Sequence, residues 1–247
     1  MNLKVNDHGS GNAISHAPDA HFDNVSIVFH GNNNQITVGS AVLVNVDIEI
    51  SGNDNQYVIS DGASVCNFIV RSKVGVGACR DADRTKLTID RQVRIEQGQA
   101  ILDGDDTSIV IGRGTTVVEA KFFAVERGAS IRVGENCLFS WNIELRTSDW
   151  HSLLNEEGLR INPPAPVNLG SRVWVGSDVR ILKGVTVHDE GIIGTGSIVT
   201  KDVPSRTAVA GNPARIIKQN VSWSHEAWYK SLDYNTAAQS ARATARP

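Results

Sequence analysis

The sequence predicts an all-β chain wound as a parallel β-solenoid, and three observations point to that class. The first is a six-residue period: from Leu169 every sixth residue is aliphatic, through Val175, Ile181, Val187, Ile193 and Val199. The second is an upstream superperiod. Ile89, Ile95 and Ile101 lead after ten residues to Ile111, Val117 and Phe123, and after ten more to Val133, Phe139 and Leu145, a 22-residue unit. The third is a recurring turn cluster, Gly31-Asn32-Asn33-Asn34-Gln35 and Gly52-Asn53-Asp54-Asn55-Gln56, each followed by a short alternating strand. An amphipathic helix would repeat every 3.6 residues. Coils stacked about 4.8 Å apart instead bury these aliphatic side chains as one continuous column.

Taken in order, residues 1–24 read as a lead-in segment and residues 25–216 as the solenoid, with about eight coils between Val25 and Val203. Asn, Asp and Gly at the corners supply the positive φ that tight turns demand. The cluster Gly104-Asp105-Asp106-Thr107-Ser108 repeats the device ahead of Ile109-Val110-Ile111. Two segments break the register, at 72–85 and at 148–168. Leu145 and Leu169 are 24 residues apart where ten is usual, so the second insertion is the larger interruption. Long loops on rigid scaffolds commonly carry function. After Asn212-Pro213 the repeat stops, and residues 217–247 read as a short helical cap beginning near Ser224, with a flexible tail.

Composition narrows the function. The chain has 247 residues, is 40% hydrophobic, and carries a net charge of −3, so bulk electrostatics recruits neither nucleic acid nor an anionic membrane. From Lys201 onward seven Lys/Arg face three Asp/Glu, a local excess that suits a small anionic ligand. Three cysteines, Cys66, Cys79 and Cys137, form no CxxC pair; a disulfide framework or zinc site is not expected, and a reducing cytoplasm is. No apolar run is long enough for a membrane span, and no signal peptide is expected at the N-terminus.

The candidate chemistry gathers at the second insertion. His151 opens it and is one of two histidines between Ile89 and Pro213. Imidazole ionises near neutrality and so can take a proton from a hydroxyl group. Asp149, two residues earlier, is placed to orient that imidazole or stabilise its cation. Trp174 offers an indole N–H, a donor only, for a substrate oxygen or a developing oxyanion. Lys201, Arg215 and Lys218, joined by Arg172, supply cations for an anionic ligand. Cys137 lies four residues after Val133, at a core position, and reads as packing rather than as a nucleophile. His151 and His188, the two histidines of this region, form no three-histidine zinc cluster, so no metal is expected.

The segments Val173-Trp174-Val175-Gly176, Ile181-Leu182-Lys183-Gly184-Val185-Thr186-Val187, Ile193-Gly194-Thr195-Gly196-Ser197-Ile198-Val199 and Ala210-Gly211-Asn212-Pro213-Ala214-Arg215 strongly resemble the hexapeptide-repeat acyltransferases. Within that superfamily, Arg146-Thr147-Ser148-Asp149-Trp150-His151-Ser152 resembles the loop of bacterial surface-polysaccharide O-acetyltransferases. The tight match covers residues 133–218. The resemblance implies a left-handed β-helix, a homotrimer, acetyl-CoA bound between neighbouring prisms, and His151 as general base. Ser177, Gly194 and Thr195 are similar to the family's pantetheine-contacting positions. The implied activity is O-acetylation of a carbohydrate hydroxyl. N- or O-acetylation of a small amino sugar, nucleotide sugar or antibiotic remains the alternative enzyme. A solenoid used only for binding or structure is the non-enzymatic one.

Overall fold

Alternation inside each six-residue step puts every second side chain inward, and parallel stacking then aligns those side chains rung upon rung. The computed structural model describes residues 2–72 and 82–225, which wind into a three-faced parallel β-helix with nine rungs on each face. In the upstream coils the first and second faces form one bent strand, as in His21–Phe29, Val42–Ile50 and Thr116–Val125; Gln35–Val38, Gln56–Ile59 and Ser108–Ile111 belong to the third face. From Leu138 to Val199 the faces separate into strands of two to four residues, with Leu138–Phe139 on the first, Ile143–Arg146 on the second and Val167–Leu169 on the third. The paired residues reproduce the expected periods. Lys86 pairs with Ser108 and Arg94 with Thr116, steps of 22, while Trp174 pairs with Ile192, a step of 18.

The inward column is mostly aliphatic, interspersed with Phe22, Phe29, Tyr57, Phe68, Phe122 and Phe139; the rings of the last two stack 6.3 Å apart. The bend between the first two faces is made by Asn24, Asn45 and Asn67, at φ of 51°, 54° and 48°, whose side-chain amides hydrogen-bond along the stack at 2.9 Å. Gly98 lies in the corresponding strand of the next coil, at φ 147°. A β-carbon there would lie 2.1 Å from the Ala120 carbonyl oxygen, so no other residue fits without moving the coil below.

A second polar ladder runs inside. Asn34 is fully buried; its amide donates to Asn12 Oδ1 and to the Gly52 carbonyl, and its Oδ1 accepts from the backbone and side-chain nitrogens of Asn55. Replacing Asn34 with Ala strands those groups where water cannot reach them. Each buried partner left unsatisfied costs about 1–3 kcal/mol, so Asn34→Ala should lower the urea midpoint of the N-terminal coils markedly. A midpoint equal to wild type would show that the ladder adds no stability.

Three boundaries differ from the sequence expectation. The lead-in 1–24 is already part of the helix: Leu3–Asp7 pairs with Val25–Phe29, and Ala13–His16 with Gln35–Val38. Being the end coil it is covered on one side only, so its sequence carries polar residues where later coils carry aliphatic ones. The 72–85 insertion is narrower, because Asp83 and Thr85 already sit in the polar ladders and the extra residues lie before them. Residues 73–81 lie outside the described residues. At the C-terminal end, Lys218 and its neighbours form the strand Ala214–Gln219, antiparallel to Thr207–Gly211, where a helical cap was expected from 217. The β-branched Ile216 and Ile217 suit that extended return. The expected helix beyond Ser224 and the tail fall almost wholly outside the described residues. Both insertions leave from the same edge, between the second and third faces.

Candidate active site

The second insertion raises the register step from 22 to 36 residues, as Leu138 pairs with Trp174. Its course from Thr147 to Pro166 is set by a few polar anchors. Glu126, on the coil above, accepts from the Ser148 hydroxyl and from both arms of Arg160, at 2.5 and 2.7 Å. Arg160 foremost holds the Glu126 carboxyl below the usual range. Between these anchors Leu154 bridges Arg160 in a small antiparallel ribbon.

Asn162 fixes the tip. It is 6% exposed, and its amide donates to the His151 carbonyl and to Asp149 Oδ2, both at 2.8 Å. Its Oδ1 accepts from the Leu153 N–H at 2.7 Å. One buried side chain therefore clamps the backbone on both sides of Ser152, from the His151 carbonyl to the Leu153 N–H. Lys183, from the next coil at the same edge, pairs with Asp149 at 2.7 Å and donates to the carbonyls of Asn162 and Pro163.

His151 is exposed, and its ring makes no hydrogen bond among the described residues. Asp149 was expected to orient it. The carboxylate turns instead to Lys183 and Asn162, and Lys183 foremost holds its pKa below the ordinary value. The imidazole is thus steered through its backbone and keeps both nitrogens open to a substrate. Glu144 is likewise engaged, paired with Arg146. Because Asp149 and Glu126 are both depressed, their hold on the loop is complete above the ordinary carboxylate range and fades as pH falls through the lowered values. Below about pH 4, exchange of the Leu153 amide, corrected for its intrinsic rate, should accelerate relative to that of Ile109. A constant ratio would mean that these carboxylates do not hold the loop.

Trp174 stands on the first face, opposite the edge that carries the loop, and is 39% exposed. Its indole N–H has no hydrogen-bond partner among the described residues. Its ring lies 6.2 Å from that of Trp223, which the returning chain packs against the coil. Arg172 is occupied there: it donates to the Trp223 carbonyl, stacks over its ring, and accepts the Trp223 indole N–H at its own carbonyl. Ser177 and Gly194-Thr195 come together on successive coils at the edge between the first and second faces, where Gly196 N–H donates to the Ser177 carbonyl. Lys201 and Arg215 meet in a cleft of about 390 Å³ at the end of the prism, walled by Val199, Val209 and Ile216. Lys218 is exposed on the same return strand. A single chain therefore brings Lys201 to Arg215 and Ser177 to Gly194-Thr195, but leaves Arg172 on Trp223 and His151 and Trp174 apart.

No protein-family model matches the sequence. The polysialic acid O-acetyltransferase of Escherichia coli O1:K1 / APEC is 39% identical over 118 residues, 47% of this chain and 38% of that protein. The polysialic acid O-acetyltransferase of Neisseria meningitidis is 28% identical over 205 residues, covering 82% of this chain and 91% of that one. The crystal structure of the polySia-specific acetyltransferase NeuO superposes with a TM-score of 0.70 at 28% identity, over 98% of both chains. The chain is similar, in sequence and along its whole fold, to polysialic acid O-acetyltransferases. The sequence match to the E. coli relative thus spans well under half of that protein, whereas the likeness to NeuO runs the full length of the β-helix.

Within this β-helix Cys137 is packing, as expected. It is fully buried, its thiol donates to the Gly170 carbonyl, and burial foremost pushes its pKa up to about 11. The residues that sequence reasoning missed are Asn162 and Lys183. Each is a single polar residue with no periodic signal, and only the loop's path reveals what it holds.

Proposed function

We propose that the chain is an acetyl-CoA-dependent O-acetyltransferase that esterifies a hydroxyl of a bacterial surface polysaccharide or oligosaccharide. The observation that carries this reading is His151, an unpaired imidazole held at the tip of a clamped loop. The names of the relatives support the oxygen acceptor and the carbohydrate class. The acceptor oxygen attacks the thioester carbon while His151 takes its proton. The tetrahedral oxyanion is met by a donor N–H, for which Trp174 is the candidate. Collapse breaks the C–S bond, and His151 returns the proton to the departing thiolate. Ser177, Gly194 and Thr195 offer backbone and hydroxyl partners to the pantetheine amides, and Lys201, Arg215 and Lys218 offer charge to the phosphates, with Arg172 a further candidate if it leaves Trp223.

His151 and Trp174 lie on opposite parts of one prism, so the reaction calls for a second copy whose first face meets the loop. A homotrimer closes such a head-to-tail contact. No helix among the described residues is long and apolar enough to cross a membrane. A cytoplasmic enzyme drawing on the acetyl-CoA pool is in keeping with the cysteine usage. The test is release of free CoA thiol from acetyl-CoA in the presence of neutral and sialylated bacterial glycans. Acceptor-dependent release with ester formation is expected. No release with any glycan, together with no binding of acetyl-CoA, would remove the reading and leave a binding solenoid.

A further inference from the structure

Immediately beside the His151 loop lies a cleft of about 410 Å³, within the ~300–1,000 Å³ range of small-molecule sites. The corners of two successive coils form its floor, with Asp103, Gly104 and Asp105 on one and Val125, Glu126 and Arg127 on the other; Trp150 forms its wall. Trp150 is the residue before His151. Its backbone sits at φ 65°, and its N–H is held by the Ser148 hydroxyl oxygen at 2.9 Å. The ring meets Phe123 edge-on, at 6.0 Å between centroids, and is 42% exposed. A large aromatic surface is thereby set next to the candidate base.

Three of the four charged residues of the cleft have a counter-charge within 4 Å. Glu126 is taken by Arg160 and Ser148, Asp105 lies 3.7 Å from Arg84, and Arg127 lies 3.7 Å from Asp106. Asp103 is the exception. Its carboxyl is half-buried and has no hydrogen-bond or ion-pair partner among the described residues. Burial alone raises its pKa, as follows for a carboxyl with no cation beside it.

We infer that the cleft between Asp103 and Trp150 is an acceptor subsite for an uncharged pyranose unit. The inference rests on the carbohydrate reading above and narrows it. A carboxylate is an acceptor only, and ring hydroxyls are donors, so Asp103 fits two adjacent hydroxyls. The apolar face of the pyranose covers the Trp150 ring. A sugar carrying its own carboxylate would set like charges together in a partly desolvated pocket, which disfavours it. Although relatives of this chain are named for polysialic acid, this cleft selects for a neutral unit, with a reacting hydroxyl presented towards His151.

The test is binding, so that it does not depend on turnover. Methyl β-galactopyranoside and methyl α-sialoside are each added to the full chain without acetyl-CoA and followed by saturation-transfer NMR and titration. The galactoside is expected to bind and the sialoside to bind at least about tenfold more weakly. Trp150→Ala should abolish galactoside binding. Asp103→Asn should weaken it about tenfold. Acetyl-CoA affinity and the melting temperature should stay unchanged in both variants, which certifies that they fold. Sialoside binding as tight as galactoside, no binding of either sugar, or galactoside binding indifferent to Trp150→Ala would each overturn the subsite. Sugar binding that needs Trp150 in a protein that never transfers acetyl groups would leave the subsite standing and remove the enzymatic reading instead.

Discussion

His151→Ala should slow acetyl transfer by about 10²–10⁴-fold while leaving acetyl-CoA affinity and the melting temperature unchanged. The specificity of that expectation comes from the surroundings of the residue. The ring of His151 is exposed and makes no hydrogen bond among the described residues, so its removal breaks no scaffold contact. What Asn162 and Lys183 hold is the backbone of the loop and the Asp149 carboxylate, and these remain in the alanine variant. The measurement is initial thiol release at saturating acetyl-CoA and acceptor, beside an acetyl-CoA titration. A rate within a factor of about three of wild type would move the general base elsewhere. Asn162→Ala is the complementary variant. It frees the peptides on either side of Ser152, the first of them carrying the His151 carbonyl, without touching the imidazole, so kcat should fall with little change in KM for acetyl-CoA. A proportionate loss of acetyl-CoA affinity would instead mean that Asn162 supports the whole fold.

The coil was legible because its signal is repeated. Ile89, Ile111, Val133 and Leu169 occupy one inward position on successive rungs, and the same constraint, burial in a shared column, acts on each. The loop was legible as an interruption, and His151 as its only imidazole. Arrangement inside the loop was not legible, since Asp149 is as close in sequence to His151 as a partner would be, yet Lys183, 34 positions away, takes it. Arg172 fails for the same reason: charge and position matched a phosphate-binding cation, but a tryptophan 51 residues downstream returns to claim it. The first coil carries no aliphatic period because a terminal rung is half solvated, so its stability comes from backbone pairing and from Asn12, which hydrogen-bonds the buried Asn34. Periodic burial writes itself into sequence many times, whereas a single hydrogen bond across a loop writes itself once.

Two inactive variants should restore activity when mixed. The loop leaves the edge between the second and third faces, and Trp174 stands on the first face with the filled interior between them. Any site using both must therefore draw His151 from one copy and Trp174 from another. Trp174→Phe keeps the ring and removes the N–H, and loss of one oxyanion donor costs about 10²–10³ in rate. Alone, each of His151→Ala and Trp174→Phe should be nearly inactive. In a cyclic trimer assembled at random from equal amounts, about a quarter of the interfaces unite an intact His151 with an intact Trp174. Co-expressed and co-purified, the pair should recover about a quarter of wild-type turnover, with both chains in one particle by native mass spectrometry. If both residues of each site came from the same chain, no mixture would contain an intact site, and turnover would stay at the level of the single variants. A Trp174→Phe protein with full activity would remove the indole N–H from the mechanism and leave oxyanion stabilisation to the backbone N–H groups of the glycine-bearing corners.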